Sequence, residues 1–325
     1  MKKLLVGVVT SLLAVSFLIS KIEFYEFYKI KERINYFYLI PFILGSIFGL
    51  ILFGARWYIL LEKKMKYKLA LASVILGGGA NMILPARGGD ILRIFYCKKE
   101  SHILYPTLLS KIFIEKVVDF ITVILIGLVS FFLLGINQQK SSNLAIFTFS
   151  GILVLGLIAV LLYLRYKNQS FIRILSLPFM LIRKEEFFHS KVKEHIVDLG
   201  EFLTLRAFLK PALISLFMWL CAYSTIYLGI FGLLGMQISY IEIIFLIFCG
   251  AMGVAIPSAP SGIGVFHASI ISGFVLLGKT SANGLVYATI LHLAQFIFYG
   301  FFALIIYVSW IWTRRHSHVN HNNTC

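Results

Sequence analysis

Acidic side chains are scarce in this chain. Asp and Glu total 14 in 325 residues against 30 Lys and Arg, and charged residues of both signs make up 14% of the sequence. A soluble globule carries about a quarter charged residues, so an ordinary solvated surface is excluded. Proline is also sparse, at 7 residues, which leaves long runs without a helix breaker. The four cysteines, Cys97, Cys221, Cys249 and Cys325, are too widely spaced for a paired zinc motif or a disulfide framework. There is no Walker motif, dinucleotide fingerprint, Asp-x-Asp pair or nucleophile elbow. No metal, cofactor or catalytic residue is therefore expected.

Apolar sequence is what the chain has in abundance, with 59% hydrophobic residues and a mean hydropathy of +0.90. Runs of about 20 apolar residues, each long enough for about 30 Å of hydrocarbon, recur throughout. They predict crossings at 4–20, 38–61, 110–135, 144–164, 212–234 and 283–312. Two further stretches, 69–99 and 242–278, are apolar at both ends but broken by Leu84-Pro-Ala-Arg-Gly-Gly-Asp90 and Ile256-Pro-Ser-Ala-Pro-Ser-Gly-Ile-Gly264. The expected fold is an all-α integral membrane protein with six full crossings and two re-entrant broken-helix segments. Lys2 and Lys3 precede the first run as in a secretory signal, but the run reaches Ser20 and more spans follow. An uncleaved first span is expected.

The net charge of +16 is read as cytoplasmic loops and contact with anionic lipid; no nucleic-acid partner is expected. With both termini cytoplasmic, the cytoplasmic segments hold 17 Lys and Arg and the outer segments 6, the asymmetry of a correctly oriented inner-membrane protein. This holds only if both broken stretches return to the side they entered from. The stretch 165–211 carries 9 basic and 5 acidic residues among Phe, Leu and Ile, and reads as an amphipathic cytoplasmic insertion on anionic lipid.

The segments starting at 38, at Pro85 and at 110 correspond to those starting at 212, at Pro257 and at 283, with offsets of 174, 172 and 173 residues. Near-constant offsets imply a duplication. The assigned sidedness makes the halves, 1–137 and 138–313, inverted copies within one polytopic domain, followed by a tail at 314–325. Paired interrupted segments in inverted halves point to a transporter's midplane site.

Broken backbone in lipid survives only where protein or a water-filled cavity receives its polar groups. At the first break, Asp90 is expected to cap the following helix, and Arg87 and Arg93 lie beside its positive N-terminus, a combination suited to phosphate. At the second, Ser258, Ser261 and the backbone at Gly262 and Gly264 offer hydroxyl and amide groups, with His267 one turn on. Lys111, Glu115 and Asp119 are four residues apart and share a helix face. Asp119 lies about 12 Å deeper than Lys111, so it needs a partner or water, and Arg87 or Arg93 is the expected one. Arg56, five residues from the end of its span, is expected to snorkel. Each arrangement also has a purely structural reading, as an internal ion pair or a helix terminator.

The stretches Asn81-Met-Ile-Leu-Pro-Ala-Arg-Gly-Gly-Asp-Ile-Leu-Arg93, Glu115-Lys-Val-Val-Asp119 and Pro257-Ser-Ala-Pro-Ser-Gly-Ile-Gly-Val-Phe266 resemble, in order, three signature regions of the lysylphosphatidylglycerol synthase transmembrane family, the flippase-like region of the multiple peptide resistance factor. The resemblance implies an inner-membrane protein that moves phospholipids or polyprenyl-linked glycans between leaflets, sometimes beside a glycosyltransferase partner. Ala86 replaces a glycine of the family's usual Pro-Gly-Arg-x-Gly-Glu pattern, and Asp90 its glutamate. No aminoacyltransferase domain follows the last span, so lysyl transfer is not expected of this chain. A lipid-modifying transferase, or a subunit that docks one, is the alternative.

Overall fold

A computed structural model describes residues 33–84, 87–135, 205–255 and 262–322, with four further positions between 156 and 166. Every regular element among the described residues is helical. After a short turn at Tyr36–Tyr38 come α1 (Leu39–Leu60), α2 (Tyr67–Ile83), α3 (Gly88–Glu100) and α4 (Tyr105–Leu133). α5 (Leu205–Phe217) passes through a π-helical turn at Met218–Tyr223 into α6 (Ser224–Leu233); α7 (Tyr240–Ala255), α8 (Val265–Leu276) and α9 (Ser281–Asn322) follow. The expected insertion at 165–211 therefore ends inside α5, and of the rest only position 166 is described.

Among the described residues, four helices are long and apolar enough to cross a membrane: Tyr36–Leu60, Tyr105–Leu133, Phe208–Leu233 and Ser281–Thr313. They correspond to four of the six expected crossings. The other two, at 4–20 and 144–164, fall outside the described residues apart from positions 156, 159 and 163. The exposed surface of these helices suits hydrocarbon. On α1, Ile40, Ile43, Leu44, Ile47, Phe48 and Ile51 are exposed, while Phe42, Ser46, Leu50, Arg56 and Trp57 are buried. The helix thus carries an apolar stripe outward and its polar groups inward, the reverse of a water-soluble helix.

Both interrupted stretches fold as antiparallel helix hairpins. In α2 and α3, Asn81 faces Gly89, Gly77 faces Arg93 and Ser73 faces Cys97, so residue numbers rise on one helix as they fall on the other. In α7 and α8, Gly253 faces Ser269, Gly250 faces Ile270 and Cys249 faces Gly273. Close approach requires small residues here: a Cβ on Gly89 would stand 2.0 Å from the Gly77 carbonyl oxygen, a backbone collision that no side-chain adjustment relieves. The hairpins pack reciprocally. α2 lies on α9, α7 lies on α4, and α1 and α6 pack on each other between them.

Candidate functional site

The charged residues converge on α4, whose inner face reaches into the contact between the first hairpin and α1. On α3, Arg93 donates both Nη groups to the carboxylate of Glu115 at 2.9 and 2.8 Å. Neither residue is more than 1% exposed. The Arg93 guanidinium also lies over the rings of Trp57, 3.7 Å from the centroid, and Phe53, at 5.0 Å. Planar aromatic contact and a bidentate carboxylate together use the fork geometry and weak hydration particular to arginine.

One turn deeper on α4, Asp119 receives both Nη groups of Arg56, one of them at 2.9 Å. Arg56 is completely buried. It also donates to the Ser215 hydroxyl on α5 and lies 3.8 Å from Glu115, so it links the two carboxylates. Trp219, in the π-helical turn, donates its indole N–H to Asp119 at 3.1 Å and stacks on Tyr223 at 4.4 Å. A π turn inserts an extra residue into the helix and rotates the side chains that follow; here that register presents Trp219 to Asp119. Of the two buried guanidinium groups, only the Nε atoms lack an acceptor among the described residues.

Two expectations are corrected. The partner of Asp119 is Arg56, not Arg87 or Arg93, because Arg93 is committed to Glu115 and Arg87 lies at the break. Arg56 does not snorkel: three helices close around it, and a carboxylate on α4 satisfies its charge locally. The third member of the shared α4 face, Lys111, instead binds Glu62 in the α1–α2 connection at 2.8 Å. Partial burial of Glu62 opposes ionisation, but hydrogen bonds from Lys111 and Lys64 outweigh it and hold the carboxyl below the usual range.

At the first break, Arg87 occupies the N-cap of α3 in the left-handed region, with φ 55°. Its side chain is exposed, forms no ion pair among the described residues, and reaches across to the Val254 carbonyl at the end of α7, 3.4 Å away. Arg87 therefore joins the start of α3 to the C-terminal end of α7, the helix that leads into the second break. Asp90 is not the cap. It sits in the first turn of α3, 3.3 Å from the Lys116 ammonium and 3.4 Å from the Asn81 amide, while Asn81 accepts the Gly89 N–H. Pro85 and Ala86 lie outside the described residues.

At the second break, Ser258 and Ser261 lie outside the described residues. Gly262 and Gly264 have positive φ, 72° and 93°, and Gly264 is the N-cap of α8. His267 is buried on α8. Arg87, Asp90, Arg93, Glu115 and Asp119 thus belong to one polar zone around α3 and α4, and His267 belongs to a separate one between α8 and α9.

Sequence reasoning assigned Arg56 to the interface and passed over Ser215, Lys116 and Trp219. Arg56 had a usable signal, as the only charge in a 22-residue apolar helix facing an acid that needed a cation. Trp219 had none, since a π turn leaves no mark in this sequence.

No curated protein and no solved structure matches the chain. The family model described as the lysylphosphatidylglycerol synthase TM region matches residues 4–303, which includes every residue of both polar zones. This multi-pass, helical chain therefore belongs to the lysylphosphatidylglycerol synthase transmembrane-region family, whose role is tied to membrane lipids.

Proposed function

We propose that the protein carries a polar lipid or lipid-linked sugar between the leaflets of the cytoplasmic membrane, holding its phosphate at Arg87, between the first break and the end of α7. The observation that carries this reading is Arg87, an exposed arginine beside the α3 N-terminus with no carboxylate partner among the described residues. Around it Arg56, Arg93 and Lys116 are matched by Glu115, Asp119 and Asp90, leaving one positive charge for an anionic group. A helix N-terminus and an arginine fork both favour phosphate oxygens.

In this reading the chain is an inverted repeat of six crossings with both termini cytoplasmic, and the α2–α3 and α7–α8 hairpins are re-entrant. The reciprocal packing of each hairpin on the last helix of the other half supports it. Arg87 binds the head-group phosphate first. Arg93, Glu115 and Asp119 set the field beneath it, and the Ser258–Gly264 loop supplies hydroxyl and amide contacts from the opposite half. Acyl chains stay in lipid, and no bond in the substrate is made or broken.

The test is leaflet translocation in proteoliposomes with labelled phosphatidylglycerol, its lysyl ester and a polyprenyl-phosphate sugar. The reading expects the purified protein to move at least one of them without altering it. Covalently changed lipid would support a transferase instead, and movement only after a glycosyltransferase is added would support a docking subunit.

A further inference from the structure

The two halves differ in how the second arm of each hairpin meets the crossing that follows it. α8 lies against α9 over much of its length, whereas α3 touches α4 sparsely. A Cβ on Gly284 of α9 would stand 3.1 Å from the Ile271 Cα on α8, and the Phe274 and Tyr287 rings meet at 5.5 Å. α3 reaches α4 through the ends of long side chains. Arg93 meets Glu115 at 2.8 Å, Asp90 lies 3.3 Å from the Lys116 ammonium, and Phe95 stands edge-on to Tyr105 at 5.9 Å. Helices held apart in this way leave a seam between them.

Both walls of the seam carry apolar side chains. Ile91 and Phe95 on α3, and Tyr105, Leu109 and Phe113 on α4, are exposed among the described residues. At 3.6 residues per turn, the three α4 positions and Lys116 fall within a stripe about 80° wide, and Ile91, Phe95 and Lys98 within about 60° on α3. Charge stands at both ends of the seam. At the outer end the Lys98 ammonium lies over the Tyr105 ring, 5.8 Å from its centroid. At the inner end Lys116 pairs with Asp90, in the turn of α3 that Arg87 caps. From Tyr105 to Lys116 is about 16 Å along the helix, close to the depth of one leaflet, about half of a 30 Å hydrocarbon core.

The outer end is also the basic end of the bundle. Lys66 and Lys68 stand at the start of α2, and Lys98 and Lys99 near the end of α3, so four ammonium groups surround the open end of the first hairpin. At the opposite end of the bundle Lys279 is taken by Glu242 at 3.0 Å.

We infer that the α3–α4 seam is a binding site for an anionic phospholipid, with the phosphate on Lys98 and one acyl chain lying along Ile91, Phe95, Leu109 and Phe113. The inference rests on the transport reading and adds the lipid's way in, from the leaflet at the basic end. A phosphate held at Lys98 has about 16 Å to travel along α3 to reach Arg87. An ammonium at the head of an apolar groove one leaflet deep matches a phosphodiester and its chain. A helix is about 10 Å across, too wide to enter a gap that side chains bridge at both ends.

Photo-crosslinking of the full chain in nanodiscs tests the site. The probes are phosphatidylglycerol and phosphatidylcholine with a diazirine in the acyl chain, and peptide mass spectrometry finds the labelled residues. At equal mole fraction, phosphatidylglycerol should label Phe95 and Leu109 about fivefold more than phosphatidylcholine, the preference that one surface lysine gives for anionic lipid. Ile43 and Ile47, exposed on α1, should show no preference. Lys98→Gln should remove the preference at the seam, and Lys98→Arg should keep it. Equal labelling of the seam by the two lipids overturns the proposal. So does a seam that neither lipid labels while α1 is labelled, the result expected if another part of the chain covers it. Translocation is measured on the same protein. If wild type moves no lipid but keeps the preference, the transport reading fails and the site stands; if it moves lipid without the preference, the site fails and the reading stands.

Discussion

Glu115→Gln is the sharpest perturbation of the buried charge network. Glu115 is fully buried and takes both Nη groups of Arg93 while lying 3.8 Å from Arg56. Glutamine keeps the shape but removes the charge, and turns two N–H donors toward groups that can only donate. Stripping one partner from a buried pair costs about 3–5 kcal/mol, because the remaining ion is left uncompensated. That corresponds to a loss of about 10² to 10⁴ in the folded-to-unfolded ratio. The double variant Arg93→Met with Glu115→Leu removes both charges and refills the volume, so it should lie within about 1 kcal/mol of wild type or above it. Arg56 keeps Asp119 in either case. Equilibrium unfolding of the purified protein in mixed micelles measures both. A Glu115→Gln loss below about 1 kcal/mol, or a double variant as unstable as the single, would refute the reasoning.

Three more expectations follow from neighbouring contacts. Trp219→Phe keeps a ring against Tyr223 but removes the N–H to Asp119, and should lower unfolding free energy by about 1.5–3 kcal/mol in the same micelle titration. Gly89→Ala should destabilise by about 3 kcal/mol or more, since its Cβ meets backbone on α2; a thermal midpoint equal to wild type would contradict the hairpin contact. Glu62 is held below the usual carboxyl range, so the stability it contributes is present above about pH 4.3 and is lost as pH falls through its folded value. The gap in midpoint between wild type and Glu62→Gln should therefore narrow between pH 6 and pH 3.5.

Much of this fold is legible in the sequence because hydrocarbon imposes a length. The runs at 38–61, 110–135, 212–234 and 283–312 needed only composition, and the described helices match them within a few residues. The breaks were legible for the same reason, since Pro and Gly in an apolar run have few uses. Pairing was harder to read. Helix periodicity placed Glu115 and Asp119 on one face but could not say which helix would lie opposite, so Arg56 was assigned to the interface although α1 carries it into the core. Asp90 looked like a cap by composition, but the left-handed Arg87 takes that place, freeing Asp90 for Lys116. His267 on α8 stacks on His292 of α9 at 5.2 Å, a contact that neither residue's neighbours in sequence reveal.

The central claim is that an anionic lipid passes Arg87, between the first break and the end of α7, and the most direct measurement is the translocation rate of labelled phosphatidylglycerol by wild type, Arg87→Ala and Asp119→Asn in matched proteoliposomes. Arg87 is exposed, so Arg87→Ala should leave stability within about 0.5 kcal/mol while losing a charge-assisted contact of about 1.5–3 kcal/mol, a tenfold or greater fall in rate. Asp119→Asn should slow transport as well, with a drop in stability. Movement by wild type that collapses in a stably folded Arg87→Ala is the predicted result; an unchanged rate in that variant, or no movement by wild type, would contradict the account.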